Sequence, residues 1–401
     1  MIDQSTEHHN EHVYLDYNAT TPVSEIVRKH VMESLENWGN PSSIHWYGRG
    51  PKNLLRDSRA RVGHMIGAES PLEVVFTSGG SESNSLAVVG TFEAMTRNQN
   101  PRNIYIRSAV EHPSVIKAFN SIEEKGAVVK VIPVSRTGEI DLVRYRELLT
   151  PEVALVSVMF ANNETGAIFP IKKMSKLAHD EGALFHTDSV QGLGKVPLKV
   201  EHLGVDLASF SAHKFYALKG CGVLYVKRGT ILEPQIYGGG QERGRRGGTE
   251  NLMGIVSLAI TDGLLKHSDE YCGKVLSLRI YLEEKVLKDI PNVEVIAKDA
   301  KRLPNTSCFI LDRVSGETLL MNLDLKGFSV STGSACSSGN PEPSAALLAM
   351  GIKHSEAQST LRVSLGWLTS KSEIDRFVKT LAQVVTRLRQ IDDEAMAEYG
   401  I

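Results

Sequence analysis

The sequence predicts an α/β protein that consists of a large, mainly parallel sheet and a smaller α+β unit. From Glu73 to about Gly254, short apolar runs alternate with clusters of Gly, Asn or Asp and with helical stretches, which is the order that builds a parallel sheet. The apolar runs lack polar alternation, as expected for strands that are covered on both faces. They are NIYIRS, VVKVIPV, VALVSVMF, ALFHTD, LASFSA and GVLYVKR.

The pattern changes after Gly254. One long helical pattern, IVSLAITDGLLKHSDEYCGKVLSLRIYLEEKVL, leads out of the first region, and shorter strands are predicted at VEVIA, NTSCFILD and FSVSTG. Further helices are predicted near Ala345 and at EIDRFVKTLAQVVTRLRQ. A chain of 401 residues more often forms two domains than one. We expect a large domain over 22–265 and a small domain over 1–21 and 266–401.

Composition narrows the class of protein. A content of 41% hydrophobic and 23% charged residues is ordinary for a globular chain, and a net charge of −2 gives no broad attraction to nucleic acid or anionic membranes. No apolar stretch is long enough to span a bilayer, and the start MIDQSTEHHNEH lacks the basic and then apolar order of a secretory signal. We therefore expect a cytoplasmic protein with neither nucleic acid nor a membrane as its partner.

Polar groups follow several of the predicted strands. In TSGGSESN, Gly80 and Ser81 lie between a strand and a helix, where free N–H groups and the helix dipole can hold a phosphate. An ordinary capped turn has the same pattern. Asp188 ends the run ALFHTD, where it is either a carboxylate at the ligand-binding edge of the sheet or a helix cap.

Lys214 follows the run LASFSA together with Ser211 and His213. Partial burial would lower the pKa of this lysine and make it a nucleophilic amine, but a lysine that extends along the sheet to solvent gives the same pattern. Pyridoxal phosphate would use an amine for its aldehyde, a carboxylate for its ring nitrogen, and N–H and hydroxyl donors for its phosphate. His112, in VEHPSV, and Asn163, in FANNETG, also follow strands and fit such a site, although an isolated histidine is more often structural.

Two glycine-rich segments complete the candidate site. GGGQERGRRGGTEN is a loop suited to approach an anion closely, although it specifies no particular ligand. FSVSTGSACSSGNPEPSAALLAMG carries Cys336 between a strand and a helix that starts with proline, where we expect an exposed and mobile thiol. Cys221, Cys272 and Cys308 lie in apolar or helical runs, so we expect them to be buried, reduced and structural.

Together these motifs resemble those of the cysteine desulfurases of the NifS and IscS type, in the class V aminotransferase family. The resemblance begins at YLDYNATTP and ends at LRVSLG. Between them it includes, in order, GNPSSIH, TSGGSESN, EHPSV, NNETG, HTDSVQ, SAHKF, GGGQERGRRGGTEN and GSACSSG. It implies the fold of pyridoxal-phosphate-dependent transferases of fold type I, the aspartate aminotransferase type.

The resemblance also implies a role for each matching residue. Lys214 would form the internal aldimine with pyridoxal phosphate, Asp188 would pair with the ring nitrogen, and His112 would stack on the ring and serve acid–base steps. Arg362 would hold the substrate carboxylate, with Asn163 beside it. The cofactor-binding residues would be Gly80, Ser81, His112, Asn163, Asp188, Gln191, Ser211, His213, Lys214 and, from the neighbouring subunit of a homodimer, Thr249.

The implied reaction converts L-cysteine to L-alanine. Lys214 would move the α-proton, the Cys336 thiolate would attack the substrate sulfur, and the resulting persulfide would pass sulfur to an acceptor for iron–sulfur cluster assembly or other thio-cofactors. The segment at about 328–342 resembles the long-loop subgroup, whose cysteine can travel to an acceptor such as an iron–sulfur scaffold protein. No resident metal is implied, although Cys336 could transiently ligate an iron–sulfur cluster.

One departure from the family pattern follows Lys214. Ala217 and Leu218 stand where relatives usually have Gly-Pro, so the backbone of this turn is expected to be less restricted. Three other functions remain compatible with the sequence. A plain class V aminotransferase would share the fold and the cofactor but would have no use for a cysteine flanked by Gly and Ser. A selenocysteine lyase would share the cofactor site, and a catalytically silent partner of sulfur-transfer machinery would share the fold.

Overall fold

The computed structural model describes residues 12–332 and 342–399, and its largest feature is a seven-stranded sheet. In order across the sheet, the strands are β2 (Val74–Thr77), β8 (Gly222–Val226), β7 (Leu207–Ser211), β6 (Leu184–Asp188), β5 (Val153–Ser157), β3 (Ile104–Ser108) and β4 (Val128–Ile132). The strands from β7 to β4 pair in parallel, and β8 is antiparallel to both of its neighbours. The predicted, mainly parallel sheet is therefore confirmed.

Alternate side chains of this sheet enter two different hydrophobic cores. In β2, Val74 and Phe76 belong to one core and Val75 belongs to the other. Every residue of β5, β7 and β8 is buried, as expected for strands that are covered on both faces. The same prediction is wrong for VVKVIPV, because β4 forms an edge of the sheet and Ile132 is its only fully buried residue.

Helices cover the two faces of the sheet. One face is covered by α3 (Gly80–Arg97) and α4 (Pro113–Glu123), and the other by α2 (Trp46–Ile66), α6 (Ile171–Asp180) and α8 (Leu252–Ile260). The remaining helices of this part of the chain are α1 (Glu25–Ser34), α5 (Leu142–Leu148) and α7 (Val200–Leu203). This arrangement leaves the carboxyl ends of the parallel strands open for a site.

The predicted single long helix after Gly254 is wrong, because three helices occupy that stretch: α8, α9 (Asp262–Leu265) and α10 (Ser268–Asp289). Thr261 lies at the first break, where its buried hydroxyl donates to the oxygen of Leu258 at 2.6 Å. Such a side-chain bond to the preceding turn competes with helix continuation. Asp269 and Glu270 then give the first turn of α10 the negative charge that stabilises a helix start.

The rest of the chain forms smaller sheets with their own core. Here β1 (Val13–Tyr14) pairs in parallel with β11 (Phe328–Ser329), while β10 (Thr306–Leu311) pairs antiparallel with β9 (Val293–Val295) and β12 (Thr360–Ser364). A third core joins these strands to α10, α11 (Gly316–Asp324) and α14 (Lys371–Tyr399). Two short helices, α12 (Ala345–Ala349) and α13 (His354–Gln358), precede β12.

Residues 15–22 connect the small sheets to the large one. Asn18 N–H donates to Ser364 Oγ at 2.9 Å on the small side, and Thr21 N–H donates to the His213 oxygen at 3.0 Å on the large side. This crossing segment passes directly over the open strand ends. In the part of the chain that the structure describes, no helix has the length and apolar character needed to cross a bilayer.

Candidate active site

The open strand ends surround a cavity of about 300 Å³. Ten of the residues predicted from the sequence line it together: Gly80, Ser81, His112, Asn163, Asp188, Gln191, Ser211, His213, Lys214 and Arg362. Sequence reasoning missed Asn18, Asn84 and Ser114, which also line the cavity. Each of these three lies inside a motif that carried the family resemblance, so the motifs themselves were the available signal.

One end of the cavity is a backbone cradle at the start of α3. A Cβ atom at Gly80 would lie 2.8 Å from Val190 Cγ2, so a larger residue would close this space. The first N–H groups of an α-helix have no partner within the helix and favour an anion. Ser211 lies close by, and Ser81 is exposed in the first helical turn. This end is therefore suited to a phosphate group.

His213 lies at the same end and is held by the crossing segment. Its Nδ1 lies 3.1 Å from Thr20 Oγ1, and its main-chain oxygen accepts from Thr21 Oγ1 at 3.0 Å. Burial lowers the pKa of His213 to about 4, with the positive charges of Lys214 and Lys219 contributing. The imidazole is therefore neutral at pH 7 and can act as a hydrogen-bond donor without bringing a charge.

We call Asn84, His112, Ser114 and Asp188 the floor of the cavity. Asn84 Nδ2 donates to Asp188 Oδ2 at 2.7 Å and to Ser114 Oγ at 2.9 Å. Val190 N–H donates to Asp188 Oδ1 at 3.0 Å, and Asp188 is only 6% exposed. Donors to both oxygens hold the carboxylate in one position before any ligand arrives.

His112 is the N-cap of α4, and this position sets the state of its ring. Ser114 N–H donates to His112 Nδ1 at 3.1 Å, so Nδ1 is the acceptor and the proton of the neutral ring is on Nε2. Burial lowers the pKa of His112; the Asp188 carboxylate opposes this effect and the Lys214 amine adds to it. His112 thus presents a neutral ring to the cavity at pH 7.

Lys214 ends a short 3₁₀ turn that follows β7. Its Nζ donates to the main-chain oxygens of Asn18 at 2.6 Å and Ala19 at 2.7 Å. Burial and the charge of Arg362 lower the pKa of Lys214 to about 8, although Asp16 and Asp188 oppose the change. This agrees with the predicted lowering, and it makes the neutral, nucleophilic amine accessible near neutral pH.

We call Asp16, Asn163 and Arg362 the wall of the cavity. From β12, Arg362 Nη2 donates to Asp16 Oδ1 at 2.7 Å and Nη1 donates to the Asn163 oxygen at 3.2 Å. The Arg362 side chain is 8% exposed, and its Nε has no hydrogen-bond partner among the described residues. Because a guanidinium binds a carboxylate through two N–H groups, this arginine has capacity for an anionic ligand. Sequence reasoning missed Asp16, which lies in YLDYNATTP.

Asn18 links the two sides of the cavity through a buried hydrogen-bond network. Its Nδ2 donates to the Asn163 oxygen at 3.0 Å and to Thr306 Oγ1 at 2.9 Å. Its main-chain oxygen accepts from Gln191 Nε2 at 3.0 Å. Lys195, which sequence reasoning also missed, donates from Nζ to Asn18 Oδ1 at 2.8 Å. The predicted Gln191 is therefore part of a larger polar assembly.

Thr249 is the one described residue of the predicted cofactor set that the structure does not bring to this cavity. It lines a separate pocket of about 150 Å³ in the loop 238–251. Two ion pairs hold this loop on its own chain, Arg59 with Glu242 at 2.6 Å and Arg246 with Glu82 at 2.8 Å. Contact between Thr249 and a cofactor in another subunit stays a prediction, as does the homodimer.

The cysteines differ in what the structure reveals. Cys336 lies outside the described residues. Cys221 and Cys308 are buried as expected, and burial raises the pKa of each to about 12. Cys272 is half-buried rather than buried, because it lies at a small pocket beside Trp367, and burial raises its pKa to about 11. These three residues are therefore thiols at neutral pH, not nucleophilic thiolates.

The unusual pair Ala217 and Leu218 is tied to α8. Leu218 N–H donates to Ser257 Oγ at 3.1 Å. A proline at this position has no N–H and could not make this bond. The hydrogen bond to Ser257 therefore restricts the backbone of the turn after Lys214, as a Gly-Pro pair would do by its conformational preferences.

Known proteins resemble this chain in both sequence and fold. Residues 13–377 match the family model Aminotransferase class-V. The chain is 43% identical to a cysteine desulfurase of Cereibacter sphaeroides over 95% of this chain and 97% of that protein, and 42% identical to cysteine desulfurase NifS of Azotobacter vinelandii over 94% of each. A solved NifS-like protein superposes with a TM-score of 0.87 at 33% identity, covering 94% of this chain and 99% of that one, which confirms fold type I. The chain therefore belongs to the cysteine desulfurases of the NifS type, in the class V aminotransferase family.

Proposed function

We propose that this cysteine desulfurase binds pyridoxal phosphate in the cavity, converts L-cysteine to L-alanine, and carries the released sulfur on Cys336. One observation supports the proposal most. A single cavity unites the Lys214 amine of lowered pKa, the held carboxylate of Asp188, and Arg362 with an unused donor. These are the groups that the aldehyde, the ring nitrogen and the substrate carboxylate would each require.

Pyridoxal phosphate fits the donors and acceptors that line the cavity. The cradle at Gly80, with Ser211 and the neutral His213, offers N–H and hydroxyl donors to a phosphate. Asp188 would pair with the ring nitrogen, and Lys214 would hold the aldehyde carbon. When bound, the group supplies an electron sink for the negative charge that develops on the α-carbon of the substrate.

The chain's own residues would orient the substrate and move its proton. Arg362 would hold the carboxylate of L-cysteine, with Asn163 beside it. Once its amine is free, Lys214 would remove the α-proton, because a pKa of about 8 leaves it able to accept and return a proton near neutral pH. His112 Nε2–H faces the same cavity and can assist in proton transfer.

Cys336 would take the sulfur directly. As its thiolate attacks the substrate sulfur, an S–S bond forms and the bond between that sulfur and the substrate β-carbon breaks. The electron pair of the broken bond stays on the carbon fragment, which takes up a proton and leaves as L-alanine. A persulfide remains on Cys336, and a second thiolate, on an acceptor, can remove its outer sulfur.

Several properties of the working protein belong to the same proposal. We infer a homodimer in which Thr249 of one subunit reaches the cofactor phosphate of the other, since the loop 238–251 is held outside its own cavity. The large domain is 22–265, and the small domain is 1–21 with 266–401. The protein acts in the cytoplasm, and its sulfur acceptor serves iron–sulfur cluster assembly or another thio-cofactor pathway.

The test compares two cysteine variants of the holoenzyme, Cys336→Ala and the matched control Cys272→Ala. We expect Cys336→Ala to keep the visible absorbance of bound cofactor but to lose alanine and sulfide production from L-cysteine. Cys272→Ala should retain both products, because its thiol is not ionised at neutral pH.

Full alanine and sulfide production by Cys336→Ala would contradict the proposed role of Cys336. If that variant still released selenium from selenocysteine at the wild-type rate, a selenocysteine lyase would be the better assignment. A wild-type protein that binds no pyridoxal phosphate would be the silent partner instead.

A further inference from the structure

The side-chain amide of Gln191 is held from both ends. Its Nε2 donates to the main-chain oxygen of Asn18 at 3.0 Å, and its Oε1 accepts from Lys195 Nζ at 2.5 Å. Gln191 also lines the main cavity, whereas Lys195 reaches it only through Gln191 and Asn18. Lys195 is therefore one contact removed from any ligand in that cavity.

These two partners leave the amide only one orientation. A main-chain oxygen can only accept a hydrogen bond, so the NH₂ end of Gln191 must face Asn18. The oxygen end then faces Lys195, whose amine donates to it. Nε2 carries two hydrogens, of which Asn18 takes one. The second N–H is therefore the donor that Gln191 can offer to the cavity.

Lys195 is placed in surroundings that disfavour its charge. Its Nζ bonds to two neutral amide oxygens, on Asn18 and Gln191, and no ion pair joins it to a carboxylate in the described part of the chain. Burial lowers the pKa of Lys195 well below its usual value, and the charges of Lys214 and Arg362 lower it further, against a weak opposing effect of Cys272. Enclosing an amine without a carboxylate is unfavourable. The hydrogen bonds that Lys195 donates to Asn18 and Gln191 offset part of this cost.

We propose that Lys195 is a positioning residue that locks the Gln191 amide so that its free N–H donates to the ionised ring oxygen of pyridoxal phosphate. This inference rests on the proposed cofactor. In pyridoxal phosphate the ring oxygen is next to the aldehyde carbon that Lys214 would hold. Gln191 and Lys214 both donate to the main-chain oxygen of Asn18, so their side chains lie close together in the cavity. Without Lys195 only the bond to Asn18 restrains the amide, so its second N–H would be held less firmly towards the ring oxygen.

The test is a pH titration of the visible absorbance of the holoenzyme in a double-mutant cycle. A donor on the ring oxygen favours its ionised form, so loss of the donor moves the titration midpoint upwards. We expect Gln191→Ala to raise the midpoint by about one pH unit, the effect of one hydrogen bond to a charged group, and Lys195→Met to raise it by part of that amount. The double variant should show no larger change than Gln191→Ala, because Lys195 acts only through that donor.

Additive shifts would mean that Lys195 acts through its charge and not through Gln191, and they would overturn the proposal, as would an unchanged midpoint in Lys195→Met. Should Lys195→Met fail to fold, Gln191→Glu gives a second test. A glutamate still accepts from Lys195 but cannot donate, so its midpoint must also rise, and an unchanged midpoint would contradict the proposal. A wild-type protein without visible absorbance would instead overturn the cofactor assignment itself.

Discussion

The floor and the wall of the cavity differ in whether their charged group is fully hydrogen-bonded without a ligand. In the floor, Asp188 already receives donors on both carboxylate oxygens, and Asn84, Ser114 and His112 form one connected set of bonds, in which Asn84 Oδ1 is the only buried side-chain atom without a partner among the described residues. In the wall, Arg362 is paired with Asp16, and its Nε has no partner among the described residues. This arrangement suits the floor to a permanently bound group, such as the proposed cofactor, and the wall to a ligand that binds and dissociates in each turnover.

This difference follows from where the two parts come from. The floor is built entirely from strand β6 of the large sheet and from the first turns of α3 and α4, which cover that sheet, so its geometry is fixed within one layer structure. The wall joins β12 of the small sheets to the crossing segment and to Asn163. In the proposed function, a substrate carboxylate would compete with Asp16 for the same guanidinium. We therefore expect floor variants to alter kcat and wall variants to alter KM.

The largest expected effect is that of Asp188→Asn in the floor. Without the carboxylate, the ring nitrogen of the proposed cofactor would lose its charged partner, and either Asn84 Nδ2 or Val190 N–H would face an NH₂ group. We expect kcat to fall by about 100-fold to 1,000-fold, as when one preorganised electrostatic group is removed from a site, with little change in KM. Steady-state rates of alanine formation measure both constants.

Asp206→Asn is the matched control for this variant. Asp206 is equally buried at 6% exposed, and its carboxylate accepts from Phe185 N–H at 2.9 Å, but it does not line the cavity. It should reduce thermal stability and leave kcat unchanged. A similar fall in kcat for both variants would show that general destabilisation, not the floor, explains the loss.

A smaller effect is expected for Asp16→Asn in the wall. Removing this carboxylate eliminates the internal competitor for Arg362, so KM for L-cysteine should fall by about threefold to tenfold, the range of a modest ion pair, while kcat changes little. The free energy of unfolding should fall by about 2 kcal/mol, because the nearly buried guanidinium loses its charged partner. Kinetics and chemical denaturation measure the two effects.

Arg362→Lys should act in the opposite direction on KM, because an ammonium keeps the charge but loses the paired N–H donors. If Asp16→Asn raised KM as Arg362→Lys does, Asp16 would be a support that aims Arg362, and the wall would be as preorganised as the floor.

The smallest expected effect concerns Lys214, which lies between floor and wall. Its neutral amine is the form that attacks an aldehyde, so the rate of cofactor capture by the cofactor-free protein should rise with pH and reach half its maximum near pH 8 rather than 10.5. Because Asp16 and Asp188 both oppose the lowering of this pKa, neutralising either one should move the midpoint further down. Stopped-flow absorbance with added pyridoxal phosphate measures the profile, and a midpoint above pH 10 would contradict the assignment of Lys214 as a partly buried amine.

The sequence was sufficient for the charged groups Asp188 and Lys214 but not for the side chains that hold the site together. Asp188 and Lys214 could be placed because each follows an apolar run, and neighbouring parallel strands bring their carboxyl ends to one edge. Asp16 is held by Arg362 from 346 residues away, and Asn18 by Thr306 from 288 residues away. No local pattern encodes which distant side chain will meet another, so these partners, like Lys195, could be found only in the folded molecule.

The errors in the fold have a related cause. An apolar run indicates that a strand is buried on at least one face, but it does not indicate the position of the strand in the sheet. β4 is exposed because it is the last strand of the sheet and has a neighbour on one side only. Helical periodicity likewise continues across a break as short as the one at Thr261, because the side chains on either side still face the same core.

The crossing segment has a consequence for how the molecule is made. Synthesis proceeds from the N-terminus, so Asp16 and Asn18 leave the ribosome long before Arg362 and Ser364, the residues that hold them. The strands of the large sheet can pair in the meantime, but no guanidinium stands over their ends until residue 362 has emerged. If Arg362 binds the substrate carboxylate as proposed, a nascent or truncated chain would lack this contact, and sulfur release would begin only in the finished molecule.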